Sequence, residues 1–290
     1  MMPLVLVALT IGADPSPAAE RPLCVSGNCP PRIPPWWFPK RATKKIEEAA
    51  GQLDVVGKVP PGGPSFLYQP EFAEDEIIRL PAREYQLQPG DIVLSADGSK
   101  FWLRMHQLAG TSHPTHSMIV FALPDGRPAI LEGGPHDTAK CRILEAIPHM
   151  ASYEKEGRVW VRRRKCPLTP MQSARLTEFC LAANCRDFAM RRLLVQITPL
   201  RTRGPIRTAF LGKPHGLERE SFFCSELVCE SLVYAGLLDA RTTRPSATFP
   251  RDLFFGDSLN PWLHFHLPKM NASWDAPARW TGSPIVSEGK

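Results

Sequence analysis

Two short apolar runs separated by a turn place the strongest constraint on the fold of this chain. The first run covers residues 117–122 and the second covers 128–132, with Pro124-Asp125-Gly126 between them. Apolar runs of this length, divided by such turn residues, predict an antiparallel β-hairpin. At least part of the chain is therefore predicted to form a small antiparallel sheet or barrel.

Other strands are predicted on both sides of the hairpin. The turn Gln88-Pro89-Gly90-Asp91 precedes a strand that starts with Ile92-Val93-Leu94, and a further strand is expected at 158–161. A short helix is predicted over 100–108.

Two longer helices follow the strands. Thr169 is a suitable N-cap and Pro170 suits the first helical position, so a helix is predicted from there to about Leu194. Another helix is predicted from about Phe223 to Gly236, since glycine fits the left-handed position after a helix end. Short strands followed by helices indicate an α+β fold.

Proline divides the chain into a compact middle and irregular ends. The sequence has 31 Pro among 290 residues, many of them near the termini. Four segments are predicted: a possible signal peptide at 1–19, a Pro-rich arm or linker at 20–70, a compact domain at 71–256 and a C-terminal extension at 257–290.

The N-terminal segment predicts export. An apolar run from Leu4 to Ala13, followed by small residues to Ala19, has the length of a signal-peptide core and is too short to cross a bilayer. A periplasmic or cell-envelope location is expected; if the run is not a signal, the protein is cytoplasmic.

The charge pattern gives limited information about partners. The formal net charge is +6, which suits an anionic cell-wall or membrane surface. The densest basic run, 162–165, follows an apolar strand and is interpreted as its solvated end. No aromatic-interleaved basic motif accompanies it, so no specific nucleic-acid binding is expected.

Cysteine and histidine spacing argues against a metal or other cofactor. Cys24 and Cys29 lie in a Pro/Gly-rich segment where a disulfide is plausible after export, but the sequence has no Cys-x-x-Cys pair. The spacing of His113, His116 and His136 resembles no zinc motif. We therefore expect no cofactor.

Cys224 is the strongest candidate nucleophile. It opens the second long helix, where the positive end of the helix dipole and the unpaired N–H groups favour a thiolate. The same N–H groups could hold an oxyanion. Cys229, farther along the helix, is interpreted as a buried, inert thiol.

His116 and Glu132 are candidate partners for this thiol. His116 stands on the first hairpin strand and Glu132 ends the second. A loop centred on Pro124 would place the two residues opposite each other, whereas a two-residue turn at Asp125-Gly126 would turn them to opposite faces. The pairing therefore requires an odd-numbered loop or a bulge.

The chain resembles the circularly permuted papain-like amidases related to the NlpC/P60 peptidases, a group that includes the YaeF/YiiX-like proteins. Four motifs carry the resemblance over about residues 86–255: Pro-Gly-Asp-Ile at 89–92, His-Ser-Met-Ile-Val at 116–120, Leu-Glu at 131–132 and Phe-Cys-Ser-Glu-Leu-Val at 223–228. In this family the His-bearing strands precede the Cys-bearing helix. The resemblance implies Cys224 as nucleophile, His116 as general base and Glu132 as the third member.

The resemblance also implies a substrate class. Tyr234, Ser117 and Ser225 are expected to contact the substrate, which would be a peptide, an amide or an acyl chain. The expected function is hydrolysis of an amide or peptide through an acyl-enzyme. The alternatives are a lipid acyltransferase or acyl hydrolase using the same Cys–His pair, and a non-catalytic binding module.

Overall fold

The structure is a computed structural model. It describes residues 65–70, 82–96, 100–134, 139–196, 198, 204, 206–258, 260 and 270–282. The predicted signal peptide and most of the predicted arm, including Cys24 and Cys29, lie outside the described residues.

Eight strands form one antiparallel sheet that curls into a half-barrel and is packed with helices, so the α+β class is confirmed. Their order across the sheet is β2-β1-β10-β7-β3-β4-β5-β6. The strands are β1 (Ser65–Pro70), β2 (Ala82–Tyr85), β3 (Ile92–Ala96), β4 (His116–Ala122), β5 (Pro128–Gly133), β6 (Cys141–Glu145), β7 (Arg158–Arg162) and β10 (Ala278–Thr281). Two short strands, β8 (Asp187–Phe188) and β9 (Ser221–Phe222), pair separately in parallel.

Seven α-helices accompany the sheet in the described part of the chain. They are α1 (Lys100–Leu108), α2 (Ala146–Glu156), α3 (Pro170–Ala183), α4 (Met190–Val195), α5 (Cys224–Tyr234), α6 (Pro250–Phe255) and α7 (Met270–Ser273). Short 3₁₀ segments lie at Gly216–Glu218 and Pro245–Ala247, and a π-helical turn spans Arg207–Leu211. None of the described helices has both the length and the apolar character needed to traverse a lipid bilayer.

The sheet buries an apolar cluster on each face, because side chains alternate along each strand. On one face, Leu94, Ile119 and Leu131 pack with residues of α3, α5 and α6. On the other face, Met118 and Ile130 pack with residues of α2 and of β10. Helix α5 is central: every residue from Cys224 to Leu232 is buried.

The sheet extends past the predicted limits of the compact domain at 71 and 256. Strand β1 pairs with β10, and β10 pairs with β7 in the centre of the sheet. Trp280 of β10 is completely buried. The segments predicted as an arm and as a C-terminal extension therefore each supply a strand to the same sheet.

The first long helix is shorter than predicted. Its start is as expected: Thr169 Oγ1 accepts the Gln172 N–H at 3.3 Å, and the Gln172 side chain accepts the Thr169 N–H at 3.0 Å. The helix ends at Ala183, because Cys185 takes a positive φ of 66° and the chain then enters β8. Helix α4 begins only at Met190, so the prediction of one helix to Leu194 is wrong.

Candidate active site

The register of the β4–β5 hairpin sets the relation between His116 and Glu132. Ala122 pairs with Pro128, so residues 123–127 form an odd-numbered loop, and Met118 pairs with Glu132. The expectation that residue 116 stands directly opposite residue 132 is therefore wrong by two positions. Because the side-chain period is two, both residues still share one face, as diagonal neighbours.

The two side chains meet despite the offset. Nε2 of His116 contacts Oε1 of Glu132 as a close ion pair. The imidazole also lies close enough to hydrogen-bond with the Cys224 thiol. Since Nε2 faces Glu132, Nδ1 is the ring nitrogen left for the thiol. The structure thus brings together the three residues predicted as nucleophile, base and orienting carboxylate, which we call the Cys–His–Glu cluster.

Cys224 reaches this cluster from the opposite face of the sheet. It is the first residue of α5, and the preceding Phe223 has extended backbone angles. The end of β5 lies close to the start of α5, since a β-carbon added to Gly133 would be 3.6 Å from the Cys224 backbone nitrogen. The cluster therefore lies at the edge of the sheet where β4 begins and β5 ends. At this edge a side chain from one face can meet side chains from the other.

Charge interactions set the protonation states within the cluster. Burial by itself lowers the pKa of His116, but the negative charges of Glu132 and Cys224 and the hydrogen bonds to both raise this pKa well above its ordinary value. Burial raises the pKa of Glu132, yet the positive charges of His149 and His116 outweigh burial and hold the carboxyl pKa below its ordinary value. Both shifts favour an imidazolium beside a carboxylate, next to the Cys224 sulfur.

Two residues that the sequence analysis missed complete the surroundings of Glu132. His149 Nε2 contacts Glu132 Oε2, and the Tyr153 hydroxyl donates to Oε1. Both residues belong to α2, which was not predicted as a helix. Their spacing of four residues puts them on the same side of a helix, and this was the only signal the sequence offered.

A buried ion-pair network holds the first turn of α5. Glu226 is fully buried and pairs with Arg192 at 2.7 Å and with Arg219 at 2.9 Å. Its Oε2 also accepts the Phe223 N–H at 3.4 Å. Glu230, one turn later, accepts the backbone N–H groups of residues 215 and 216. The network joins α4 and the segment before β9 to the helix that begins with Cys224.

The three residues expected to contact substrate either lie away from the Cys224 thiol or bond to other groups. Ser117 is completely buried and, by alternation, faces away from His116. The Ser225 hydroxyl donates to the Thr248 carbonyl at 2.7 Å. Tyr234 ends α5, about 15 Å along the helix from Cys224, and its ring packs 5.7 Å from that of Phe179.

The remaining cysteines of α5 and α3 have a structural role. Burial raises the pKa of the Cys229 thiol and of the Cys180 thiol, which keeps both protonated. Cys180 and Cys185 are both free thiols. Within the described ranges, no group of three or more His, Cys, Asp or Glu side chains is arranged to hold a metal ion; His136 lies outside those ranges.

Comparisons with known proteins find a distant likeness among solved structures. No protein-family model matches the chain, and no curated protein matches it. Among solved structures, the chain is similar to the metalloprotein YiiX of Escherichia coli O157:H7, described as DUF1105. The sequences are 16% identical, the match covers 67% of this chain and 90% of that chain, and the TM-score is 0.36.

Proposed function

We propose that this protein is a cysteine-nucleophile hydrolase that cleaves an amide or peptide bond through an acyl-enzyme. The observation that carries the proposal is the cluster itself: a thiol at a helix N-terminus, an imidazole in contact with it, and a buried carboxylate on the other side of that imidazole. Cys, His and a carboxylate recur in this arrangement on unrelated folds, and geometry identifies them.

The proposed reaction uses each member in turn. His116 takes the Cys224 proton, and the sulfur adds to the substrate carbonyl carbon. The oxyanion that forms lies at the N-terminus of α5, where the Cys224 N–H can donate to it. The carbon–nitrogen bond then breaks, and His116 returns the proton to the leaving amine. A water deprotonated by His116 cleaves the thioester and regenerates the thiol.

We also propose a circularly permuted papain-like arrangement for the fold. Support comes from the chain order, because the His-bearing strand β4 and the Glu-bearing strand β5 precede the Cys-bearing helix α5, which packs on both. Export to the cell envelope, with contact to an anionic surface, completes the proposal; the net charge of +6 supports it. Cell fractionation of a tagged full-length chain would test that location.

An acyl hydrolase or acyltransferase is the second candidate, favoured by one observation. An apolar recess lined by Trp102, Met105, His106, Ala109, Leu193, Leu194 and Phe249 lies next to the segment that holds the first turn of α5. Phe249 follows Thr248, whose carbonyl accepts the Ser225 hydroxyl. Hydrolysis rates for p-nitrophenyl esters of increasing chain length separate the candidates: a rise with chain length favours the acyl substrate, and a flat response favours the amide.

The first test is the pH dependence of iodoacetamide labelling at Cys224, located by mass spectrometry, in the wild type and in His116→Ala. Fast labelling below pH 7 that His116→Ala abolishes is the expected result. The exposed Cys166 provides an internal reference thiol in the same sample. Labelling only above about pH 8.5, unchanged by His116→Ala, would contradict catalysis and favour the binding module.

A further inference from the structure

The carboxylate of Glu132 is held on both of its oxygens by a single helix. His149 contacts Oε2 and the Tyr153 hydroxyl donates to Oε1, the same oxygen that Nε2 of His116 contacts. The Glu132 side chain is completely buried, whereas that of His116 is 17% exposed. His116 therefore connects the thiol site to a carboxylate whose other described partners come from the protein interior.

The helix that carries these partners is fixed to the sheet. His149, Met150 and Tyr153 are among the buried residues of α2. Farther along the helix, Glu154 accepts the Gly282 N–H at 3.1 Å, next to β10. The Tyr153 ring also stacks on the His116 ring, with 5.8 Å between centroids and 18° between planes. Tyr153 thus restrains both the carboxylate and the imidazole.

A carboxylate accepts hydrogen bonds at about four positions, and a buried one that lacks donors rotates or takes up a proton. Without α2, His116 would be the one partner left to Glu132 among the contacts described above. The ionised form of Glu132 would then be less stable. His116 would lose the counter-ion that keeps it protonated beside Cys224.

We infer that His149 and Tyr153 are positioning residues of the Cys–His–Glu cluster, which act through Glu132 and so keep Cys224 reactive. This inference rests on the proposed function. In the described part of the chain, the titratable and charged groups around the His116–Glu132 pair include Cys224 on α5, which faces His116, the two α2 residues, and Arg142, which stands opposite Glu132 in the β5–β6 register. The α2 pair belongs to the helix that packs on the face of the sheet opposite α5.

The experiment compares the pH profile of Cys224 labelling by iodoacetamide in the wild type, Tyr153→Phe and His149→Gln. Tyr153→Phe removes only the hydroxyl and keeps the packed ring, whereas the Gln side chain of His149→Gln can still donate one hydrogen bond but carries no charge. For each variant we expect the labelling midpoint to move upward by about one pH unit, which makes labelling roughly tenfold slower below the midpoint.

Tyr85→Phe is the matched control. Tyr85 is another buried tyrosine that donates to a buried carboxylate, with 2.6 Å from its hydroxyl to Asp91 Oδ2, and this pair lies outside the cluster. We expect Tyr85→Phe to leave the labelling midpoint unchanged. Urea unfolding of each variant confirms that the labelled protein is folded.

The outcomes are distinct. If His116→Ala abolishes fast labelling but Tyr153→Phe and His149→Gln keep the wild-type midpoint, the positioning role is wrong and the proposed function stands. If His116→Ala has no effect, the proposed function fails first.

A measurement on the wild type covers the case in which a variant does not fold. In protein with ¹⁵N-labelled histidine, Nε2 of both His116 and His149 should carry a proton at pH 7. An unprotonated Nε2 on His149 would overturn the inference.

Discussion

Met118 stands directly opposite Glu132 in the β4–β5 pair, which makes His116 a diagonal neighbour of Glu132. Diagonal neighbours on one face are separated by about 7–8 Å at the backbone, a span that an imidazole and a glutamate can bridge. The imidazole is thereby drawn along the sheet toward Glu132, while its other nitrogen stays at the strand end beside Cys224. This relation underlies the first two predictions.

Removal of the shared carboxylate should destabilise the fold. Glu132→Ala leaves the polar groups of His116, His149 and Tyr153 buried without their acceptor, at an expected cost of about 3–5 kcal/mol in the free energy of unfolding. Urea denaturation at pH 7 measures it. Glu145→Ala, on the exposed end of β6, is the control and should change the free energy by no more than about 0.5 kcal/mol. Equal effects would show that Glu132 is not the centre of a buried network.

The stabilisation from His116 should depend on pH. The pKa of His116 is raised in the folded protein, so its contribution is fully present below the unfolded pKa of 6.5 and is lost as pH rises through the folded value. The difference in free energy of unfolding between wild type and His116→Gln should therefore be larger at pH 6 than at pH 9. A difference that grows with pH would contradict the direction of the shift.

The ion-pair network around Glu226 should stabilise the fold, so the loss of one of its arginines should lower the free energy of unfolding. Arg219→Ala removes one of the two arginine partners of the buried Glu226 and the ion pair of Arg219 with Glu230 at 3.6 Å. Because the remaining carboxylates stay buried, we expect a loss of about 3 kcal/mol in the free energy of unfolding, measured in urea. Arg241→Ala is the control: its pair with Asp239 is at the surface, so no measurable change is expected.

The strand near the C-terminus should be required for folding. A chain ending at residue 269 lacks β10, which leaves β1 and β7 without a partner between them and removes the Asn271 and Asp275 contacts of the buried Arg162. We expect this truncation to abolish cooperative thermal unfolding. A chain ending at residue 282 keeps every described element and should unfold like the full chain. If the chain ending at 269 melts normally, β10 is dispensable.

Local features of the fold could be predicted because each depends on a few adjacent residues. Thr169 and Pro170 determine where α3 begins, and Gly236, with a φ of 72°, ends the segment that starts at Cys224. The turn residues 124–126 give the position of the β4–β5 hairpin. These outcomes follow from capping groups, from the absence of a β-carbon and from turn residues.

Only the tertiary structure decided how these elements meet. The sequence left open both the parity and the register of the hairpin, which the structure decides, and it gives no sign that β1 and β10 complete the same sheet. The division of the predicted long helix depended on the pairing of β8 with β9. His149 and Tyr153 reached Glu132 because α2 packs on the face opposite α5. The sequence by itself determined which chemical groups are present and where α3, α5 and the β4–β5 hairpin begin, since those are local properties. Long-range packing decided which groups touch. This packing depends on the whole chain, because both faces of the sheet are buried together.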